Sequence, residues 1–221
     1  MSKGEQTRAA ILDKAVETAS RLGLEGLTIG QLAEASGMSK SGLFAHFGSR
    51  EELQLAVLRH GEALFAQNVF EPALSAARGV ARIRALFRNW LDWTESSELP
   101  GGCLMIAAAA EFDDRPGPVR DALARSQRAW IATLRKAVGM AIETGELRAD
   151  TDTEQFVFEM FGISLATHHH RRLLGEPRAR QRALAGLERL IANSSVTKPS
   201  AAHTEAGARP ARVRAVRARS R

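Results

Sequence analysis

The chain has 221 residues, 44% hydrophobic and 25% charged, with a formal net charge of +6, one cysteine and no tyrosine. That length and apolar content allow a substantial buried core, while the single cysteine, Cys103, excludes an internal disulfide framework and suits a reducing compartment. The opening MSKGEQTRAAILDKAVE lacks a signal-peptide core and the longest apolar run, CLMIAAAA at 103–110, is too short to span a bilayer, so a soluble cytoplasmic protein with no membrane partner is expected.

Helical periodicity dominates and strand alternation is absent, which predicts an all-α fold of about nine helices. The first helix is expected from about Gln6 to Leu22, with Ile11, Leu12, Ala15, Val16, Ala19 and Leu22 on one stripe at spacings of three and four. Gly23 suits a left-handed stop just past it. Thr28 followed by Gln31 has the form of a capping box, so a second helix starts at Ile29, with Leu32 and Ala33 on its inner face and Gly37 at its end. Ser39 is placed to cap a short third helix from Lys40 to about His46. Ser49 with Glu52 has the form of a second capping box and opens a long fourth helix through Leu53, Val57, Leu58 and Leu64. Past Pro72, further helices are expected at about 78–96, 102–112, 118–144, 153–174 and 177–193, punctuated by glycine and proline.

The excess charge sits at one end. Residues 194–221 hold seven Lys or Arg against Glu205 alone, leaving 24 basic and 24 acidic residues in 1–193. The body is formally neutral, so any nucleic-acid reading has to rest on arrangement rather than on total charge. Beyond Ser194 large apolar residues almost vanish, and 194–221 is expected to be a basic, disordered tail.

The arrangement is present at 28–50. A helix-turn-helix needs a small residue where its helices cross, a glycine in the turn, and an apolar residue on the second helix facing the first. Ala33, Gly37 and Leu43 stand at i, i+4 and i+10, with Leu32 and Met38 in flanking core positions. Such a turn holds the helix beginning at Lys40 away from the body, free to enter a major groove. Ser39, Lys40 and Ser41 are suited to phosphate and base-edge hydrogen bonds, and Phe47 anchors the helix end to the core.

The stretch LTIGQLAEASGMSKSGLFAHFGSREELQLAVL resembles the DNA-binding domain of TetR-type (tetracycline repressor-like) transcriptional regulators over about residues 7–58. GGCLMIAAAAEFDDRPGPVRDAL resembles the C-terminal part of some members more weakly. The resemblance implies an N-terminal three-helix helix-turn-helix domain over 1–52. It implies a larger all-helical domain over 53–193 that binds a small molecule and forms the homodimer. It places Thr28 at a phosphate, Lys40, Ser41 and Gly42 along the major groove, and His46 and Arg50 at backbone phosphates. The family commonly has threonine or serine where Gly42 stands and tyrosine where Phe44 stands, so a hydroxyl is lost at each.

Other chemistry is sparse. In HHHRR (168–172), consecutive residues point about 100° apart around a helix, and no Asp, Glu, Cys or further His sits at the spacing that shared metal ligation wants, so a structural or interface role is favoured. Cys103 is expected to be a packing residue. There is no Gly-rich phosphate loop, paired-carboxylate signature or nucleophile motif, so neither catalysis, metal nor cofactor is expected. A mostly apolar cavity is expected in the larger domain, with Phe87, Trp90, Leu91, Met105, Trp130, Leu134, Phe158 and Phe161 as candidate lining residues, each also readable as plain core. FVFEMFGISLATHH (156–169) is apolar around most of its circumference and is expected to pack against both its own domain and a twin subunit. Leu184, Leu187, Leu190 and Ile191 are expected to join it in that interface, and Glu159 is a candidate ligand-orienting or interface acid.

Together these features favour a homodimeric repressor, released from a palindromic double-stranded operator by a small hydrophobic effector. Two alternatives stay open: a helical small-molecule enzyme or carrier with a vestigial helix-turn-helix, and a nonspecific nucleoid-type binder driven by the Arg-rich tail.

Overall fold

In a computed structural model, residues 3–96 and 99–196 are described. The helices among them are α1 (Lys3–Leu22), α2 (Ile29–Ser36), α3 (Lys40–Phe47), α4 (Arg50–Phe65), α5 (Val80–Glu95), α6 (Leu104–Phe112), α7 (Pro118–Glu143), α8 (Thr153–Arg172) and α9 (Ala179–Ser194). The rod begun by α4 continues without a break through a π-helical turn, Ala66–Phe70, and a last α-turn, Glu71–Ala73. The described residues contain no strand, only an isolated antiparallel bridge between Leu147 and Ser195. No helix among them is long and apolar enough to cross a membrane.

Local signals set most boundaries. Thr28 completes both halves of its capping box, accepting from the Gln31 amide at 3.2 Å while its own amide donates to Gln31 Oε1 at 3.1 Å. Gly37 closes α2 at φ 66°, a left-handed conformation that glycine adopts without a Cβ penalty. The second box is only half made. Ser49 Oγ accepts from the Glu52 amide at 3.1 Å, but the Ser49 amide donates to the Phe47 carbonyl at 2.8 Å, so the tight α3–α4 turn has already used the donor Glu52 would need.

α1 packs on α2 and α4, and α3 on both α2 and α4, with Ile11, Val16, Leu32, Leu43, Phe47 and Val57 buried between them. Leu22 departs from the expected stripe and is 52% exposed; the loop residues Leu24 and Leu27 fill that end of the core instead. Buried Gln54 of α4 donates to the Leu24 carbonyl at 3.1 Å, pinning the α1–α2 loop. α4 then runs on to pack against α6 and α7, so one rod belongs to both the small and the large cluster of helices. α8 lies between α7 and α9, and α5 packs on α7, α9 and the π-helical turn.

Ser194, expected as the first residue of the tail, still belongs to the helical body. That residue ends α9, its carbonyl accepts from the Arg148 amide at 2.9 Å, and the Val196 amide donates to the Glu146 carbonyl at 3.3 Å. The remainder, 197–221, lies outside the described residues.

Candidate nucleic-acid interface and internal cavity

The α2–turn–α3 unit sorts its side chains by face. Leu43 and Phe47, four residues apart on α3, are buried, whereas Ser39, Lys40, Ser41 and Phe44 are exposed. Gly42 and His46 are half-buried. Thr28 is exposed at the start of α2, with its hydroxyl also 3.0 Å from Gln31 Oε1. Arg50 is exposed but engaged: its guanidinium donates to the Glu25 carbonyl and lies 3.2 Å from the Glu25 carboxylate. A phosphate at Arg50 would compete with Glu25 for it.

A cavity of about 800 Å³ opens between α4, α5, α6, α7 and α8. Trp90, Met105, Trp130 and Phe161 of the expected residues line it. Phe65, which sequence reasoning missed, meets the Trp130 ring edge-on at 4.9 Å. Phe87, Leu91 and Leu134 instead lie in the core, at most 2% exposed, and are not part of the wall. Phe158 is 74% exposed. It stands two residues from buried Met160, about 200° around α8, so the inward turn of Met160 carries Phe158 outward. The wall also includes charged side chains, Arg59 and Glu62 of α4 and Asp121 and Arg125 of α7. A search for apolar periodicity passes over these; the clue was their spacing from Leu55, Leu58 and Ala122 on the same helix faces.

Cys103 is buried on the cavity wall just before α6. Burial raises its thiol pKa above the ordinary range, and N–H groups of Ile106, Met105 and Trp90 only partly oppose that. Burial thus favours the neutral thiol over the thiolate.

α6 connects this cavity to the small helical cluster. Its Glu111 carboxylate accepts from the Glu25 amide at 2.7 Å and covers Gly23, where a Cβ would come within 2.0 Å of Glu111 Oε1. Gly23 itself has φ 80°, a second reason for glycine there. Just before α6, the Gly101 amide donates to Ser20 Oγ at 3.1 Å, and Arg115 just after it lies 3.3 Å from Glu25. Both flanks and one side chain of a cavity-wall helix thus rest on the end of α1 and the loop leading to α2.

Phe158 and Leu165 on α8, and Leu173 and Leu174 just beyond it, are exposed large apolar side chains. Glu159 is exposed and accepts from Gln155 Nε2 at 2.9 Å. Leu187, Leu190 and Ile191 are buried in the subunit's own core, at most 7% exposed, because α9 turns that stripe toward α8 and α5. They are not an open interface. Among the described residues, no group of three or more His, Cys, Asp or Glu side chains converges. His168 is half-buried beside Gly102, its Nε2 finds no hydrogen-bond partner among the described residues, and burial, then the nearby Arg172 and His169, lower its pKa.

Residues 11–57 match the family model described as bacterial regulatory proteins, tetR family, and 79–187 match that of the tetracyclin repressor-like C-terminal domain. The chain is 39% identical over 72 residues to the HTH-type transcriptional repressor AcnR of Corynebacterium efficiens, an alignment covering 33% of this chain and 38% of that protein. Among solved structures it is similar to a TetR transcriptional regulator from Chloroflexus aurantiacus, with TM-score 0.80 and 25% identity over 88% of this chain and 98% of the other. It is also similar to AibR in complex with isovaleryl coenzyme A and operator DNA, with TM-score 0.65 and 25% identity over 84% and 98% of the two chains.

Proposed function

The chain belongs to the TetR family of bacterial transcriptional regulators, and on that premise we propose that it is a homodimeric repressor released from a palindromic operator by a small hydrophobic effector. Residues 1–52 form the DNA-binding unit and 53–193 the effector-binding and dimerising unit. Two copies of α3 enter successive major grooves, about 34–36 Å apart. Ser39, Lys40 and Ser41 meet the groove, and Thr28, His46 and Arg50 meet phosphates.

The observation that carries this reading is the hydrogen bond from the Glu25 amide to Glu111, which joins a helix of the cavity wall to the loop before α2. An effector in the cavity presses on α6 through Met105 and Ile106, and α6 is fastened to the DNA-binding unit at Ser20, Gly23 and Glu25. Ligand binding releases DNA to the extent that the ligand prefers the subunit spacing that DNA does not accept. The AibR complex, which holds both an organic ligand and operator DNA, supports pairing the two kinds of partner in one fold.

The test is a footprint of the full chain on the DNA flanking its own gene, repeated with compounds that bind the protein tightly. A short protected palindrome that disappears with such a compound is the expected result. Diffuse coverage instead indicates nucleoid-type binding, and tight ligands that leave the footprint intact indicate a carrier.

A further inference from the structure

The exposed side of α3 carries one cation and a bare aromatic ring. Apart from Lys40, residues 39–48 include none of the side chains that grip a base edge with two hydrogen bonds: no Arg, Asn or Gln, and no acid to accept from cytosine. The Lys40 stem lies over α2, with its Cε 3.4 Å from where a Gly30 Cβ would stand. Ser39 Oγ is engaged by the Gly42 amide at 3.1 Å and lies 3.2 Å from Ser41 Oγ. Phe44, by contrast, is 55% exposed, with exposed Ala45 next to it.

A ring left open on a surface that meets nucleic acid gains nothing from a phosphate, since it has no donor. It gains by covering apolar surface. In a major groove the apolar group that a base pair presents is the C5-methyl of thymine. We propose that Phe44 covers a thymine methyl in each half-site, with Ala45 beside it, so that the operator is read largely by apolar contact with A·T pairs. This rests on the DNA-binding reading above and names the kind of site that reading requires.

The test separates the two. The full chain selects its preferred duplex from a randomised pool, and that duplex is remade with uracil for thymine at one pair of symmetry-related positions at a time, which removes only the methyl. The expected result is one pair of positions where uracil weakens binding about fourfold per half-site, the worth of one buried methylene-sized group. Phe44→Ala should be indifferent to that replacement, and Phe44→Leu should keep the sensitivity. Uracil tolerated at every position, or costing the wild type and Phe44→Ala alike, overturns the proposal. So does a Phe44→Tyr variant that tightens binding equally on thymine and uracil duplexes, because its ring then faces the phosphates. If no duplex is enriched, the DNA-binding reading itself has failed.

Discussion

Phe44 and Phe47 stand one helical turn apart and have opposite surroundings. Phe47 is 6% exposed, with the Arg8 guanidinium 5.2 Å from its ring centre, so Phe47→Ala should cost roughly 3–5 kcal/mol and lower the melting temperature sharply. Phe44→Ala, at an exposed site, should leave the melt unchanged, and thermal denaturation of both variants checks the pair. His168 supplies a pH prediction. Its folded pKa lies below the ordinary 6.5, so the unfolded chain binds the proton more readily. Its neutral-state contribution is complete above that value and is lost as pH falls from it toward the folded pKa. His168→Gln should therefore flatten the loss of stability between neutral and mildly acid pH, measured by denaturant titration at each pH. The orientation of Phe47 was legible in the sequence because it lies four residues from Leu43 within a capped helix. That of Phe158 was not, because its helix is apolar on most sides and only its packing partners decide which side turns inward.

At the level of elements, caps and glycine stops fixed the helices well because both act within a few residues. Thr28, Gly37, Ser39 and Pro118 all stand where the sequence placed them, while α8 ends at Arg172 and α9 begins at Ala179, each about two residues inside the expected range. The link between α6 and the α1–α2 loop was invisible, since it joins residues 86 positions apart and no local pattern marks it. The π-helical turn was equally silent; nothing distinguishes AQNVF from ordinary helix, yet Ala66 and Phe70 border the cavity. Such turns recur at functional sites. The α6 link makes a prediction at its own scale. Glu111→Ala should leave operator affinity within about twofold and sharply reduce the effector's power to weaken it, removing most of a coupling of typically 1–3 kcal/mol. Operator titrations with and without saturating effector measure it; full release in the variant would place the coupling elsewhere, most directly in α4.

For the whole molecule, the two apolar stripes expected at a subunit interface divide between different duties. Phe158→Glu places a charge on the open surface of α8 and should yield folded monomers that no longer bind operator, as sedimentation and melting together would establish. Leu187→Glu buries an unpaired charge in a single subunit's core and should prevent folding instead. A folded, dimeric Phe158→Glu protein would move the interface off this face. The aromatic residues divide in a different way. Trp90 and Trp130 stand in the cavity wall, Trp93 meets Phe65 edge-on at 6.3 Å, and no tyrosine occurs anywhere in the chain. Excited at wavelengths that indole absorbs and phenylalanine does not, this protein therefore emits only from indoles at or beside the cavity, while the helices proposed to meet DNA contain no such emitter. A compound entering the cavity should change the emission directly. Operator DNA added alone should change it only through the contacts that join the two regions, so the untagged protein contains its own spectroscopic gauge of that transmission.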